Sequence, residues 1–208
     1  MTRPALALAM LLAVSAAVAS LACAEAPVAE AAVFAVGDQW RWTGGGSRRV
    51  IAVEGDLIVT PYSNSRCSQC RAYRDRNLTL VKLVSKDGAT VADQEIGYKM
   101  LDFPLTIGKK WHSDQALVNN ATKVAEPYKN AFAVEAYEDV KTKAGTFKAF
   151  RITHVQERSH SSFSPDYGRS SRETLWYSPG AKAFVKREVN TARAGWGADW
   201  ELESYVVK

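Results

Sequence analysis

From residue 36 to the C-terminus, apolar side chains recur at every second position in short runs, and each run stops at a turn-forming cluster. A period of two belongs to strands, whose side chains point alternately to opposite faces. Trp40 and Trp42 share one face of the first run, Gln39 and Arg41 take the other, and Gly44-Gly45-Gly46 turns the chain. Residues 50–53 and 57–60 flank Glu54-Gly55-Asp56, a hairpin pattern. A strand over 78–84 precedes Lys86-Asp87-Gly88. Phe132, Val134 and Ala136 alternate with Glu135 and Tyr137, and Ala144-Gly145 turns that strand into 147–155. In the last strand Trp196, Ala198, Trp200, Leu202, Ser204 and Val206 fall on one face, with Glu201, Glu203 and Tyr205 on the other. Past the N-terminal leader no segment carries a long, capped 3.6-residue period, although 104–108 and 114–121 have room for a helical turn. The expected fold is all-β: one antiparallel, strongly curved sheet forming an open half-barrel in a single domain.

The N-terminus reads as an export signal. Arg3 supplies the positive charge, residues 5–19 are apolar and rich in Ala and Leu, and Ala22 and Ala24 form a small-residue cleavage pattern around Cys23. The run is about 15 residues, short of the roughly 20 that a helix needs to cross a bilayer. The expected organisation is a signal peptide over 1–24, a flexible tether over 25–35 and an exported β domain over 36–208. Two addresses follow. A soluble periplasmic or secreted product is one; a lipoprotein anchored to the membrane through Cys23 is the other, since lipoprotein processing cuts before a Cys that follows a small residue. Of three cysteines, cleavage beyond Cys23 leaves Cys67 and Cys70, an even number that suits an oxidising compartment. The formal charge of +5 loses one unit with Arg3. Mild positive charge attracts anionic surfaces, and export argues against nucleic acid as a partner, so peripheral contact with an envelope membrane is the better fit.

The patches Gly108-Lys109-Lys110-Trp111, Tyr137-Glu138-Asp139-Val140, Gly145-Thr146-Phe147-Lys148-Ala149-Phe150 and Leu175-Trp176-Tyr177-Ser178-Pro179 resemble a family of uncharacterised exported bacterial proteins. That family is a domain of unknown function that includes the TapB-like proteins. The resemblance covers about residues 100–208; the first half matches only at Gly37-Asp38-Gln39-Trp40. It implies an exported, mostly β domain in the cell envelope and brings no catalytic residues. At fold level the strand pattern is similar to the curved half-barrel of the lipoprotein-carrier group, an analogy that leaves function open.

Cys67-Ser68-Gln69-Cys70 is the motif with the most reactive chemistry. Arg66, Arg71, Arg74 and Arg76 surround it, and nearby cations favour a thiolate. A thiol-exchange role and a local structural disulfide are both open, although the strand-to-helix setting of thioredoxin-like motifs is missing. A zinc site needs about four ligands, and His112, His154 and His160 lie scattered, so no metal and no cofactor is expected. Gly44-Gly45-Gly46-Ser47 lacks the lysine and helix of a phosphate loop. His160 with Ser159, Ser161, Ser162 and Asp166 lacks a nucleophile elbow. His154, on the Phe150 and Ile152 face, reads as a hydrogen-bonded core residue, and Glu188, Glu201 and Glu203 read as a solvated face.

The aromatic residues remain. Six tryptophans are many for one small domain, and most should build its core. A curved sheet also presents a groove, for which Trp40, Trp42, Trp176, Trp196 and Trp200 would supply contact area. The expected function is therefore non-enzymatic: a cell-envelope binding or assembly module holding a lipid-like or apolar ligand, or a protein segment, on a Trp-rich concave face. Basic residues at the rim would meet anionic head groups. The alternative is a periplasmic thiol–disulfide protein using Cys67 and Cys70.

Overall fold

The structure, a computed structural model, describes residues 26–64, 67–93, 95–118, 125–158, 171–190 and 198–208. Strands and turns, with no helix, make up these residues. In chain order the strands are β1 (Val28–Ala29), β2 (Gln39–Trp42), β3 (Ser47–Arg49), β4 (Ala52–Glu54), β5 (Leu57–Tyr62), β6 (Cys70–Arg74), β7 (Leu80–Val84) and β8 (Thr90–Val91). They continue as β9 (Leu105–Thr106), β10 (Lys110–His112), β11 (Gln115–Val118), β12 (Ala125–Thr142), β13 (Gly145–Arg158), β14 (Ser171–Ser178), β15 (Ala183–Val189) and β16 (Trp200–Val206).

The large sheet runs β10-β12-β13-β14-β15-β16-β2-β3, with β11 also on β12, and a smaller meander runs β4-β5-β6-β7-β8. Every pairing between named strands is antiparallel. The large sheet does not close: β3 forms one edge, and β10 and β11 form the other. It is an open, curved half-barrel, as the alternation predicts. Register shifts at Val134/Ala136, Trp176/Tyr177 and Leu202/Ser204 supply bends, because a bulge inserts an unpaired residue and tightens the local twist.

The middle of this sheet is buried on both faces. Phe147 and Ala149 of β13 join Trp40, Val50, Ile58, Trp176, Val185 and Leu202 in one core. Phe150 and Ile152, of opposite parity on the same strand, join Leu101, Leu105, Trp111, Phe132, Leu175 and Tyr177 in another. Each fully buried aliphatic or aromatic side chain contributes about 1.5–3 kcal/mol over its exposed state. Ile58 on β5 belongs to the first core, so the small sheet is held against the large one by apolar packing.

Two local expectations change. In the segment expected to be a tether, β1 pairs with β9, Ala29 is buried and Phe34 packs edge-on against Trp40, so part of that segment is docked on the domain. In the last strand the bulge after Leu202 breaks the alternation. Leu202 pairs with Trp42, but Tyr205 pairs with Trp40, while Ser204 and Val206 face Arg41 and Gln39. Directly opposed residues share a face, so Tyr205 takes the place that strict alternation assigns to Ser204 and Val206.

Candidate functional site

A cleft of about 1050 Å³ opens where the β2, β3 and β16 end of the large sheet meets β5 and β6 of the small one. Register accounts for most of the lining that the large sheet supplies. Gln39 opposes Arg49 and Val206, and Arg41 opposes Ser47 and Ser204, so these six share one sheet face. Trp40, Arg48 and Tyr205 stand on the other face. Pro61, Tyr62, Cys70 and Arg71 line the cleft from the small sheet. Its described lining holds Arg41, Arg48, Arg49 and Arg71 and no aspartate or glutamate.

Arg41 Nε meets Glu203 at 3.1 Å, but both side chains are exposed and such a pair is worth little. Arg48 lies 5.9 Å over the Trp42 ring. Burial pushes its guanidinium down to about 9, helped by the charge of Arg74 and opposed by Glu95, so it stays cationic at neutral pH. Arg74 is buried, is lowered by that burial, and donates to Thr60 Oγ1 at 2.9 Å. The wall also carries apolar surface in contact with solvent: Ile51 is 42% exposed, Tyr205 37% and Val206 50%.

The tryptophans are mostly spent on the fold. Trp40 is 3% exposed and its indole N–H donates to the Ala181 carbonyl at 2.6 Å. Trp176 is 7% exposed and donates to Glu138 at 2.9 Å. Trp42 donates to the Phe184 carbonyl at 2.8 Å and packs edge-on against Trp200, with ring centres 5.9 Å apart. Of the tryptophans named from sequence only Trp40 lines the cleft, and Trp196 lies outside the described residues.

Cys67 and Cys70 form a disulfide. Cys70 opens β6, opposite Tyr62, and is buried at the cleft wall between Gln69 and Arg71. A ring closed over a sequence separation of 3 removes little chain entropy. Reduction is therefore expected to lower stability by only about 2 kcal/mol, with the strand content unchanged, as read by urea unfolding with and without reductant. A loss of all cooperative unfolding on reduction would contradict this.

A second cluster lies in the large sheet. Cross-strand register sets Trp111, Phe132, His154 and Glu173 in one row. The Phe132 ring stacks on His154 at 4.4 Å and on Trp111 at 5.0 Å. His154 Nδ1 lies 2.7 Å from Glu173 Oε1, and its Nε2 lies 2.9 Å from Asn130 Oδ1 and 3.2 Å from the Tyr98 hydroxyl. Arg187 Nε donates to Glu173 Oε2 at 2.5 Å, and Asn130 Nδ2 donates to the Ser113 carbonyl at 2.9 Å. Burial works to raise the Glu173 pKa, but the contacts with His154 and Arg187 outweigh it and hold the carboxyl below its usual range. Burial raises the Tyr98 phenol, and the nearby Glu173 charge adds to that. His154 is thus a hydrogen-bonded core residue, and the cluster's polar atoms are spent on one another.

Among the described residues no group of three or more His, Cys, Asp or Glu is placed to hold a metal ion. Cys23, Arg66, His160 with its serine neighbours, and Asp166 lie outside the described residues. Glu203 is exposed and salt-bridged to Arg41, Lys186 pairs with Glu188 at 2.6 Å, and Glu201 is half-buried.

No protein-family model and no curated protein matches the chain. Two solved structures share its course loosely. A candidate lipoprotein from Parabacteroides distasonis is 14% identical, with a TM-score of 0.44, over 86% of this chain and 99% of that one. The hypothetical lipoprotein YmcC from Escherichia coli is 10% identical, with a TM-score of 0.42, over 84% of this chain and 89% of that one.

The sequence pointed to rings as the contact surface and to basic residues at the rim, without marking Arg48, Arg49 and Arg71 as lining one cleft. Arg48-Arg49 beside the glycine turn, and Arg71 beside the cysteine pair, were readable as charges; what brings them together is the packing of two sheets. Glu173 was also missed. It alternates with the inward Leu175 and Tyr177, and a carboxylate at an inward position was the available signal.

Proposed function

We propose that this chain is a non-enzymatic binding module of the cell envelope, and that the cleft between its two sheets holds an apolar or lipid-like ligand. One observation carries the reading: Ile51 and Val206 leave apolar surface exposed at a concavity of about 1050 Å³. Such surface in a concave site is more costly to leave wet than to cover with a ligand. The export pattern of residues 1–24 supports the envelope as its place of work. The tryptophans then act by holding the strands that form the wall, with Trp40 at the cleft itself.

The test is binding of a neutral naphthylamine dye, read by fluorescence, to the full chain and to the double variant Ile51→Asp with Val206→Asp. Dye affinity is expected to fall about tenfold or more, the order that loss of two partly buried aliphatic contacts implies. Equal dye binding by both proteins, or none by the unaltered chain, would contradict the reading.

The thiol–disulfide alternative has one observation in its favour: the Cys67–Cys70 bond adjoins the cationic Arg71. Titration against dithiothreitol separates the readings. A bond that resists reduction in the native protein supports the binding module, and one reduced at glutathione-like potentials supports exchange chemistry.

A further inference from the structure

The cleft's positive charge has no matching negative charge in its own lining. Arg41 is shared with Glu203, but the guanidinium groups of Arg49 on β3 and Arg71 on β6 make no hydrogen bond or ion pair with a described residue. Both are exposed, and the half-buried Arg48 adds a third cation from the opposite sheet face. Like charges gathered around one concavity repel, and a bound anion relieves that repulsion. Hydroxyls of Ser47 and Ser63 line the same cleft and add neutral donors.

The donor set selects among anions. One guanidinium fork satisfies both oxygens of a carboxylate. Forks from two sheets together with hydroxyl donors approach from directions that do not share one plane, which suits the tetrahedral oxygens of a phosphate group better than the planar pair of a carboxylate. The apolar surface of Ile51 and Val206 in the same cleft argues that the phosphate arrives attached to an apolar body. We propose that the cleft binds the phosphate group of an anionic amphiphile, with Arg49 and Arg71 grasping it from the two sheets. This rests on the binding-module reading above and names the polar half of its ligand.

The experiment measures co-sedimentation of the full chain with phosphatidylglycerol vesicles and with phosphatidylcholine vesicles. It compares the unaltered protein with the double variant Arg49→Ser, Arg71→Ser. Both side chains are exposed, so the variant is expected to keep its thermal midpoint. The expected results are at least tenfold weaker binding to phosphatidylcholine, and at least tenfold weaker binding of the variant to phosphatidylglycerol. Salt should weaken the phosphatidylglycerol interaction as the Debye length shrinks to about 3 Å at 1 M.

Equal affinity for both vesicles, or a variant that binds phosphatidylglycerol like the unaltered protein, would overturn the proposal. Inorganic phosphate competing at its own low micromolar concentration would overturn the amphiphile part, because the acyl body would then contribute nothing. The neutral dye keeps the two ideas apart. Dye binding unchanged in the arginine variant while phosphatidylglycerol binding collapses supports both. Dye binding intact with no vesicle discrimination removes the phosphate contact and leaves the apolar site.

Discussion

Glu173→Ala is expected to destabilise the protein by about 3–5 kcal/mol, because it takes one partner from a buried, hydrogen-bonded charge pair. Glu173 is buried, and its two oxygens accept from Arg187 and meet His154. The Arg187 side chain is 18% exposed, so water only partly replaces the lost carboxylate. Glu173→Gln keeps an acceptor and much of the shape but removes the charge, and a smaller loss is expected. The sign of the pH dependence follows from the lowered Glu173 pKa. A carboxylate whose folded pKa lies below its unfolded value stabilises the fold above the unfolded pKa and loses that contribution as pH falls through the folded one. For Glu173 the loss begins below its ordinary value of 4.5.

Asp38 and Asp102 act in the same direction. For Asp38, burial opposes the shift, but hydrogen bonds from the Ala35 and Lys208 backbone and from Lys182 prevail. For Asp102, burial again opposes, and Lys109 and Lys99 prevail. Glu95 is raised by burial and by Asp93, so it works in the opposite sense, but its exposed side chain limits its weight. Chemical unfolding between pH 3 and 7 checks this. The unaltered protein should lose stability on acidification below about pH 4.5, and Glu173→Gln should show a shallower loss. Equal acid slopes would contradict the assignment.

Phe150→Ala is expected to cost about 3–5 kcal/mol, through the lost transfer energy of the ring and the cavity left behind. Phe150 is 1% exposed and sits in the second core, its ring 4.6 Å from that of Tyr137. It pairs with Tyr137 on β12 and Tyr177 on β14, in the middle of the large sheet, where neighbouring strands leave little room for collapse. For a chain of this size the unfolding midpoint should fall by about 2–4 °C per kcal/mol. Calorimetry on the variant checks it, and a fall under about 2 °C would mean that the site is less tightly packed than the structure shows.

The fold was legible because its signal is local. Strand parity marks Phe150, Ile152, Leu175 and Tyr177 as inward, and Gly55 and Gly145 stand at hairpin turns with positive φ. The last strand was read less well, since a bulge after Leu202 obeys no local period and depends on how β16 meets β2. The presence of two cores, one on each face of the large sheet, was hidden for a related reason. Both parities of β13 and β14 carry apolar residues, and only the topology shows what covers each face. The site was the least legible part. Arg49 and Arg71 come from different sheets, and a one-dimensional pattern holds no record of which sheets meet.

A crystal structure with a short-chain phosphatidylglycerol bound tests the central claim most directly. The account predicts lipid density in the cleft between β2–β3–β16 and β5–β6, with phosphate oxygens within hydrogen-bonding distance of Arg49 and Arg71 and an acyl chain against Ile51 and Val206. Lipid seated elsewhere on the molecule, with this cleft closed by the protein's own side chains, would contradict it.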